Sequence, residues 1–195
     1  MQRVLNNSKL QNLNIFKKAG FSNNSPSGDG GIKIFLIGFM GSGKTHWGKL
    51  WSVKSGKQFF DLDEVIEQEE KKSVAEIFSQ NGEAYFRQKE MEILQTFATK
   101  QNCIIACGGG TPCFNNNMQW MNANGTTVYL AATAQDIFKR VITEQEKRPL
   151  IKDFSPQELL VFIKNKLQER EIYYLQAKIT LPVSAITADS INLIQ

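Results

Sequence analysis

The chain is poor in sulfur. Its three cysteines, Cys103, Cys107 and Cys113, are odd in number and include no C-x-x-C pair. That excludes a disulfide framework and a paired-thiolate zinc site, and it suits a reducing, cytoplasmic setting. Each cysteine reads as a small buried apolar side chain. No apolar run approaches the length of a membrane span, so no membrane partner is expected. Internal repeats are absent. Acids are missing from residues 1–28, which carry Arg3, Lys9, Lys17 and Lys18. The net charge of +4 arises there, because the rest of the chain holds 19 basic and 19 acidic residues. A neutral body gives no nucleic acid an electrostatic footprint. What remains is ordinary: 195 residues with 42% hydrophobic and 22% charged side chains, enough for one domain with a proper core.

The most informative stretch that is present is GFMGSGKT, from Gly38 to Thr45. It fits G-x-x-x-x-G-K-[ST], the phosphate-cradling P-loop. The run Ile32 to Ile37 before it reads as a buried strand, and the segment from Lys44 onward as a helix start. A helix N-terminus offers unpaired N–H groups and a positive dipole end to a triphosphate. Gly41, Ser42, Gly43, Lys44, Thr45 and the backbone of His46 are therefore the expected nucleotide contacts. Lys44 would reach the β/γ-phosphates, and the Thr45 hydroxyl would ligate Mg²⁺. Trp47 and Trp51, four apart on this helix, read as packing residues.

Residues 1–31 read as a flexible N-terminal extension, ending in Ser25-Pro26-Ser27-Gly28-Asp29-Gly30-Gly31. Beyond it, strands alternate with helices. Further strands are expected at Phe59–Leu62, Cys103–Ala106, Thr127–Leu130 and Ile179–Leu181. Ser73-Val74-Ala75-Glu76 and Ser155-Pro156-Gln157-Glu158 are capping boxes that open helices. The first of these is interrupted at Gly82 and resumes from Ala84 to Lys100. The second runs to about Leu175, and Ala134 to Val141 forms another helix. This alternation implies an α/β, three-layer fold, a five-stranded parallel sheet with helices on both faces. Ligands in such folds bind at the carboxyl ends of the strands.

Several candidates lie at those ends. Asp61 and Asp63 flank Leu62, and residues two apart in an extended chain face the same side. One carboxylate would suit water-mediated Mg²⁺ coordination and the other a substrate hydroxyl. Gly108-Gly109-Gly110 follows the third strand and allows close backbone approach to a ligand. Arg87, Arg148 and Arg170 also stand out. Composition alone raises none of the three above a solvated surface cation.

Taken together, these motifs resemble the shikimate kinase family, from about Ile32 to the C-terminus. The matching features are GFMGSGKT, Asp61-Leu62-Asp63, GEAYFR ending at Arg87, the glycine triplet, Arg148-Pro149-Leu150, and Arg170 with Tyr173 shortly after. The resemblance implies the P-loop NTPase fold of the nucleoside monophosphate kinases, and ATP-dependent phosphorylation of the 3-hydroxyl of shikimate. It implies that Asp63 binds substrate hydroxyls and serves as a candidate base. It also implies that Arg87 and Arg170 grip the substrate carboxylate, that Gly108, Gly109 and Gly110 present backbone to substrate, and that Arg148 lies in a lid around 143–155 over the ATP phosphates. Thr45 and Asp61 are the expected Mg²⁺ site, and a monomer is expected. Cys107 stands where the family commonly has Thr or Ser, which replaces a potential hydroxyl near the metal with a thiol. Two rival readings exist: a kinase of the same fold acting on another small acceptor, and a nucleotide switch or motor. The latter would want an Asp ending the third strand or an N-K-x-D motif, and this chain has neither. A binding module without catalysis is the remaining alternative.

Overall fold

A computed structural model describes residues 31–147 and 151–194. The expected N-terminal extension lies outside the described residues except for Gly31, whose carbonyl accepts from Asn102 N at 3.1 Å. Arg148, with Pro149 and Leu150, also lies outside them.

Five strands form one sheet in the order β2-β3-β1-β4-β5, and every pairing is parallel. They are β1 (Lys33–Ile37), β2 (Gln58–Asp61), β3 (Cys103–Ala106), β4 (Thr126–Ala131) and β5 (Ile179–Pro182). Every residue of β1 and β3 is buried, as expected when both faces of a parallel sheet are covered. Alternation splits the packing. Phe35, Ile37, Cys103, Ile105 and Tyr129 join one core cluster with Leu94, Phe97, Met118, Met121, Ile163 and Tyr174. Leu36 faces the other way, towards the helix Lys44–Ser55 (α1). A Cβ on Gly48 there would stand 3.2 Å from Leu36 Cδ1 and 2.4 Å from the Phe59 ring, so only glycine lets α1 lie this close to the sheet.

The remaining helices are α2 (Leu62–Glu70), α3 (Val74–Thr96), α4 (Asn117–Asn124), α5 (Ala134–Val141) and α6 (Pro156–Tyr174). Both expected capping boxes are present, at Ser73 with Glu76 and at Ser155 with Glu158, and Thr133 with Asp136 forms a third. Gly82 interrupts α3 with φ 81° and ψ 170°, a left-handed kink that glycine accepts without a Cβ clash.

Two sequence expectations fail. The second strand ends at Asp61, one residue earlier than expected, and Leu62 opens a helix. Asp61 and Asp63 therefore do not share an extended segment. Asp61 is the N-cap of α2, its Oδ1 accepting from Asp63 N at 3.2 Å, and Asp63 sits in the first helical turn. An aspartate before a helix satisfies an orphan N–H, and that competes successfully with continuation of the strand. Helix α4 was not foreseen, because NMQWMNAN lacks a clear polar–apolar period.

Register brings the strand ends level. Leu36 pairs with Ala106 on one side and Val128 on the other, and Asp61 pairs with Ala106. Gly38, Asp61 and Cys107 thus emerge at one edge of the sheet, around its central strand.

Candidate active site

The loop leaving β1 turns through glycines with φ 139° at Gly38, 74° at Gly41 and 95° at Gly43. Gly43 is the N-cap of α1. The first bond within that helix runs from Trp47 N to Gly43 O at 2.9 Å, so the N–H groups of Lys44, Thr45 and His46 precede the helical ladder. Ser42 is buried, with its N–H on Phe39 O at 3.2 Å and its Oγ unpartnered. Lys44 Nζ folds back over the loop, donating to Gly38 O at 2.8 Å and Phe39 O at 3.0 Å. The His46 ring is exposed and stands edge-on to Trp47, 5.1 Å between centroids.

A cleft of about 680 Å³ opens above this loop. Gly41, Gly43, Lys44, Thr45 and His46 line one part of it, and Asp61, Asp63, Gly108 and Gly109 another. Thr45 Oγ1 donates to Asp61 Oδ2 at 2.7 Å. A hydroxyl and a carboxylate this close form a hard-oxygen pair that suits Mg²⁺. No group of three or more His, Cys, Asp or Glu among the described residues is disposed to hold a metal. An ion here would draw its other ligands from phosphate and water, which is how Mg²⁺ is usually held.

The glycine triplet is the hub of the acceptor side. A Cβ on Gly108 would stand 3.0 Å from Asp63 Oδ1 and 2.9 Å from Glu90 Oε1. On Gly109 it would meet Met40 N at 3.4 Å and Arg170 Nη1 at 3.5 Å. At Gly110 it would strike Arg87 Nη2 at 2.6 Å. Each glycine thus admits a different charged group, and Asp63, Arg87 and Arg170 gather around three consecutive residues. Neither arginine lines the cleft itself; both abut the triplet at its margin.

Arg87 is tightly held. Its Nη1 donates to Glu90 Oε2 at 2.9 Å, while Nε and Nη2 both donate to Glu83 Oε1 at 3.1 and 3.0 Å. Its guanidinium lies 4.4 Å from the Phe114 ring centroid. Glu90 is fully buried and also accepts from Thr111 Oγ1 at 2.6 Å. Glu83 is 56% exposed, so it is the more accessible of the two partners.

Asp63 feels this crowding. Burial, then the negative charges of Asp61 and Glu90, push its carboxyl up to about 6, against the pull of Lys44 and Arg87. Its Oδ1 is buried without a hydrogen-bond partner in the protein. An acceptor so placed has room for one donor. Cys107 is fully buried with its Sγ 3.7 Å from Met121 Sδ, and burial, followed by Glu90, drives its thiol well above the usual range. It is a packing thiol, as expected. Cys113 is only half-buried, which departs from the expectation of burial.

The comparisons with known proteins agree with this geometry. A family model described as shikimate kinase matches residues 40–191. A shikimate kinase of Azobacteroides pseudotrichonymphae is 46% identical over 160 residues, covering 82% of this chain and 94% of that protein. The chain belongs to the shikimate kinase family. Among solved structures, the crystal structure of the shikimate kinase from Bacteroides thetaiotaomicron superposes with a TM-score of 0.76 at 39% identity, covering 78% of this chain and 86% of that one. The Acinetobacter baumannii shikimate kinase in complex with shikimate gives a TM-score of 0.73 at 27% identity, covering 83% and 91%.

Two side chains at the family's site were not singled out from the sequence. Glu90 lies three residues after Arg87 and Tyr174 four after Arg170, the spacings that put side chains on one helix face. That spacing was the available signal. It is Tyr174, and not the Tyr173 quoted with the motif, that reaches the triplet, its hydroxyl donating to Gly109 O at 2.6 Å. Arg140 was also overlooked; it lines the cleft and donates to Gly41 O at 3.0 Å.

Proposed function

We propose that this protein transfers the γ-phosphoryl group of ATP to the 3-hydroxyl of shikimate, giving shikimate 3-phosphate and ADP, a step towards the aromatic amino acids. The observation that carries this reading is the convergence of Asp63, Arg87 and Arg170 on one glycine triplet beside a phosphate loop. Shikimate is a small carboxylated triol. Two guanidinium groups suit its carboxylate, because a planar fork pairs with two oxygens at once. The Asp63 carboxylate suits its hydroxyls, being an acceptor with an unfilled oxygen.

Phosphoryl transfer requires positioning and charge neutralisation more than covalent help. The N-terminus of α1 and Lys44 would receive the β- and γ-phosphates, with Lys44 exchanging its loop carbonyls for phosphate oxygens. Thr45 and Asp61 would hold Mg²⁺, which supplies charge neutralisation between the β- and γ-phosphates when bound. Asp63 would orient the acceptor hydroxyl and take its proton as phosphoryl transfer proceeds. Among the described residues no helix is long and apolar enough to cross a membrane. A monomer acting in the cytoplasm is part of the same proposal, supported by the unpaired cysteines.

The test is direct. Pure protein with ATP and Mg²⁺ should release ADP only when shikimate is added, with gluconate and nucleoside monophosphates inactive. Arg87→Lys is the cleaner variant than Arg87→Ala, because alanine would leave the wholly buried Glu90 without its cation. Loss of the fork should lower kcat/KM for shikimate by about 10²–10³ while nucleotide binding stays intact. Parent-like shikimate kinetics in Arg87→Lys would overturn the acceptor assignment.

A further inference from the structure

Tyr174 is the last residue of α6 and one of the largest fully buried side chains in the molecule. Its ring packs against Tyr129, 5.0 Å between centroids and 30° between planes. A buried phenol must place its O–H, and this one donates to the carbonyl of Gly109 at 2.6 Å across 65 residues of sequence. The Arg170 guanidinium, one helical turn earlier, lies against the same glycine, its Nη1 3.5 Å from where a Cβ on Gly109 would stand. Arg170 is also bounded by the Phe39 ring of the phosphate loop, 5.6 Å from its Cζ.

A glycine triplet is the least self-determined backbone in a protein, since each residue has access to both halves of φ space. A single strong acceptor bond on the middle carbonyl fixes the peptide plane between Gly109 and Gly110. The Arg170 guanidinium packs on the glycine so fixed, and among the described residues no other hydrogen bond reaches the Gly109 carbonyl.

We propose that Tyr174 is a positioning residue: its hydroxyl fixes the Gly109 peptide and, through it, the resting place of Arg170, as one preformed unit, so that the triplet and the α6 arginine meet the acceptor together. The inference rests on the acceptor being shikimate and on Arg170 facing its carboxylate. It assigns Tyr174 no contact with substrate. Its effect is on acceptor affinity, because disorder in the unit is removed before binding rather than during it.

The experiment uses the full chain with Tyr174→Phe, which keeps the ring stacked on Tyr129 and removes only the hydroxyl. Shikimate KM should rise roughly five- to tenfold, the loss expected for one buried hydrogen bond in a network, while ATP KM stays within twofold. In an Arg170→Ala background the same substitution should raise KM by clearly less than in the parent, since one of the two tethered groups is gone. A thermal melt measured alongside reads any purely structural cost. Shikimate KM unchanged with a lowered melting temperature would overturn the proposal, as would equal rises in both KM values or full additivity with Arg170→Ala. Failure of the parent to release ADP with shikimate would instead overturn the functional reading, which separates the two.

Discussion

The phosphate side and the acceptor side of this cleft are built on opposite plans. The phosphate side is local: eight consecutive residues, Gly38 to Thr45, supply the turn, the N–H groups, the lysine and the hydroxyl. The acceptor side is assembled from afar. Asp63 comes from α2, Arg87 and Glu90 from α3, the triplet from the loop after β3, and Arg170 and Tyr174 from α6. The difference extends to electrostatics. Backbone dipoles do much of the work on the phosphate side and cost little to bury there. The acceptor side brings Asp61 and Glu90 close enough to Asp63 to raise its carboxyl, with Arg87 set against Glu90. A contiguous motif tolerates changes elsewhere in the chain. A composite site depends on several elements arriving in register, and it stores destabilising charge.

The sharpest way to break that contrast is Asp63→Asn. Shikimate-dependent turnover should fall by about 10³, within the range for loss of a positioned acid–base group, while ATP binding should hold. The fold should become more stable at pH 7.5. The sign follows from the raised carboxyl: its folded value of about 6 exceeds its unfolded one near 3.8, so protonation favours the native state. That stabilisation is complete below pH 4 and is lost as pH rises through 6, leaving an ionised, crowded Asp63 at neutrality. Thermal melts of parent and variant at pH 5 and 7.5 check this. A variant less stable at pH 7.5 would mean that the acceptor side carries no such strain.

A pH profile sharpens the same point with a smaller effect. As the proposed base, Asp63 must be ionised to take the proton of the acceptor hydroxyl. The kcat/KM for shikimate should therefore fall about tenfold per unit below an apparent value near 6, with the binding of ADP nearly flat over that range. An acid limb near 4 would show that Asp63 is unperturbed in the free enzyme.

The smallest expected effect concerns Glu83. Its carboxylate occupies the Nε and Nη2 edge of Arg87, the edge best suited to a bidentate ligand, and it is largely exposed. Glu83→Gln weakens an internal competitor and should lower shikimate KM about two- to fivefold, in keeping with the modest worth of an exposed ion pair. A rise in KM would mean that Glu83 holds Arg87 in place for the substrate.

How legible was this in the residues? The phosphate loop was read whole, because its chemistry is contiguous and its flanking strand and helix signal themselves by apolar runs and offsets. The parallel α/β class and all five strands were legible too, from Ile32 to Ile37, Cys103 to Ala106 and their counterparts. The turn at Leu62 was not. A strand reading and a helix N-cap reading fit Asp61-Leu62-Asp63 equally well until the capping bond to Asp63 N is seen. Arg87 and Arg170 stood out only through the family motif. On their own they are helix arginines among acids, and nothing in their neighbours indicates which carboxylates are buried partners.

Local sequence, then, dictated the anion cradle, the strand and helix order, and the capping boxes. In each of these, short-range geometry supplies its own partners within a few residues. Tertiary packing alone brought Arg87, Arg170 and Asp63 around one glycine triplet, turned Tyr174 rather than Tyr173 onto Gly109, and raised the Asp63 carboxyl. Those outcomes depend on distances and burial between segments far apart in the chain. Coulomb and desolvation energies are set by that environment and not by the identity of the next residue.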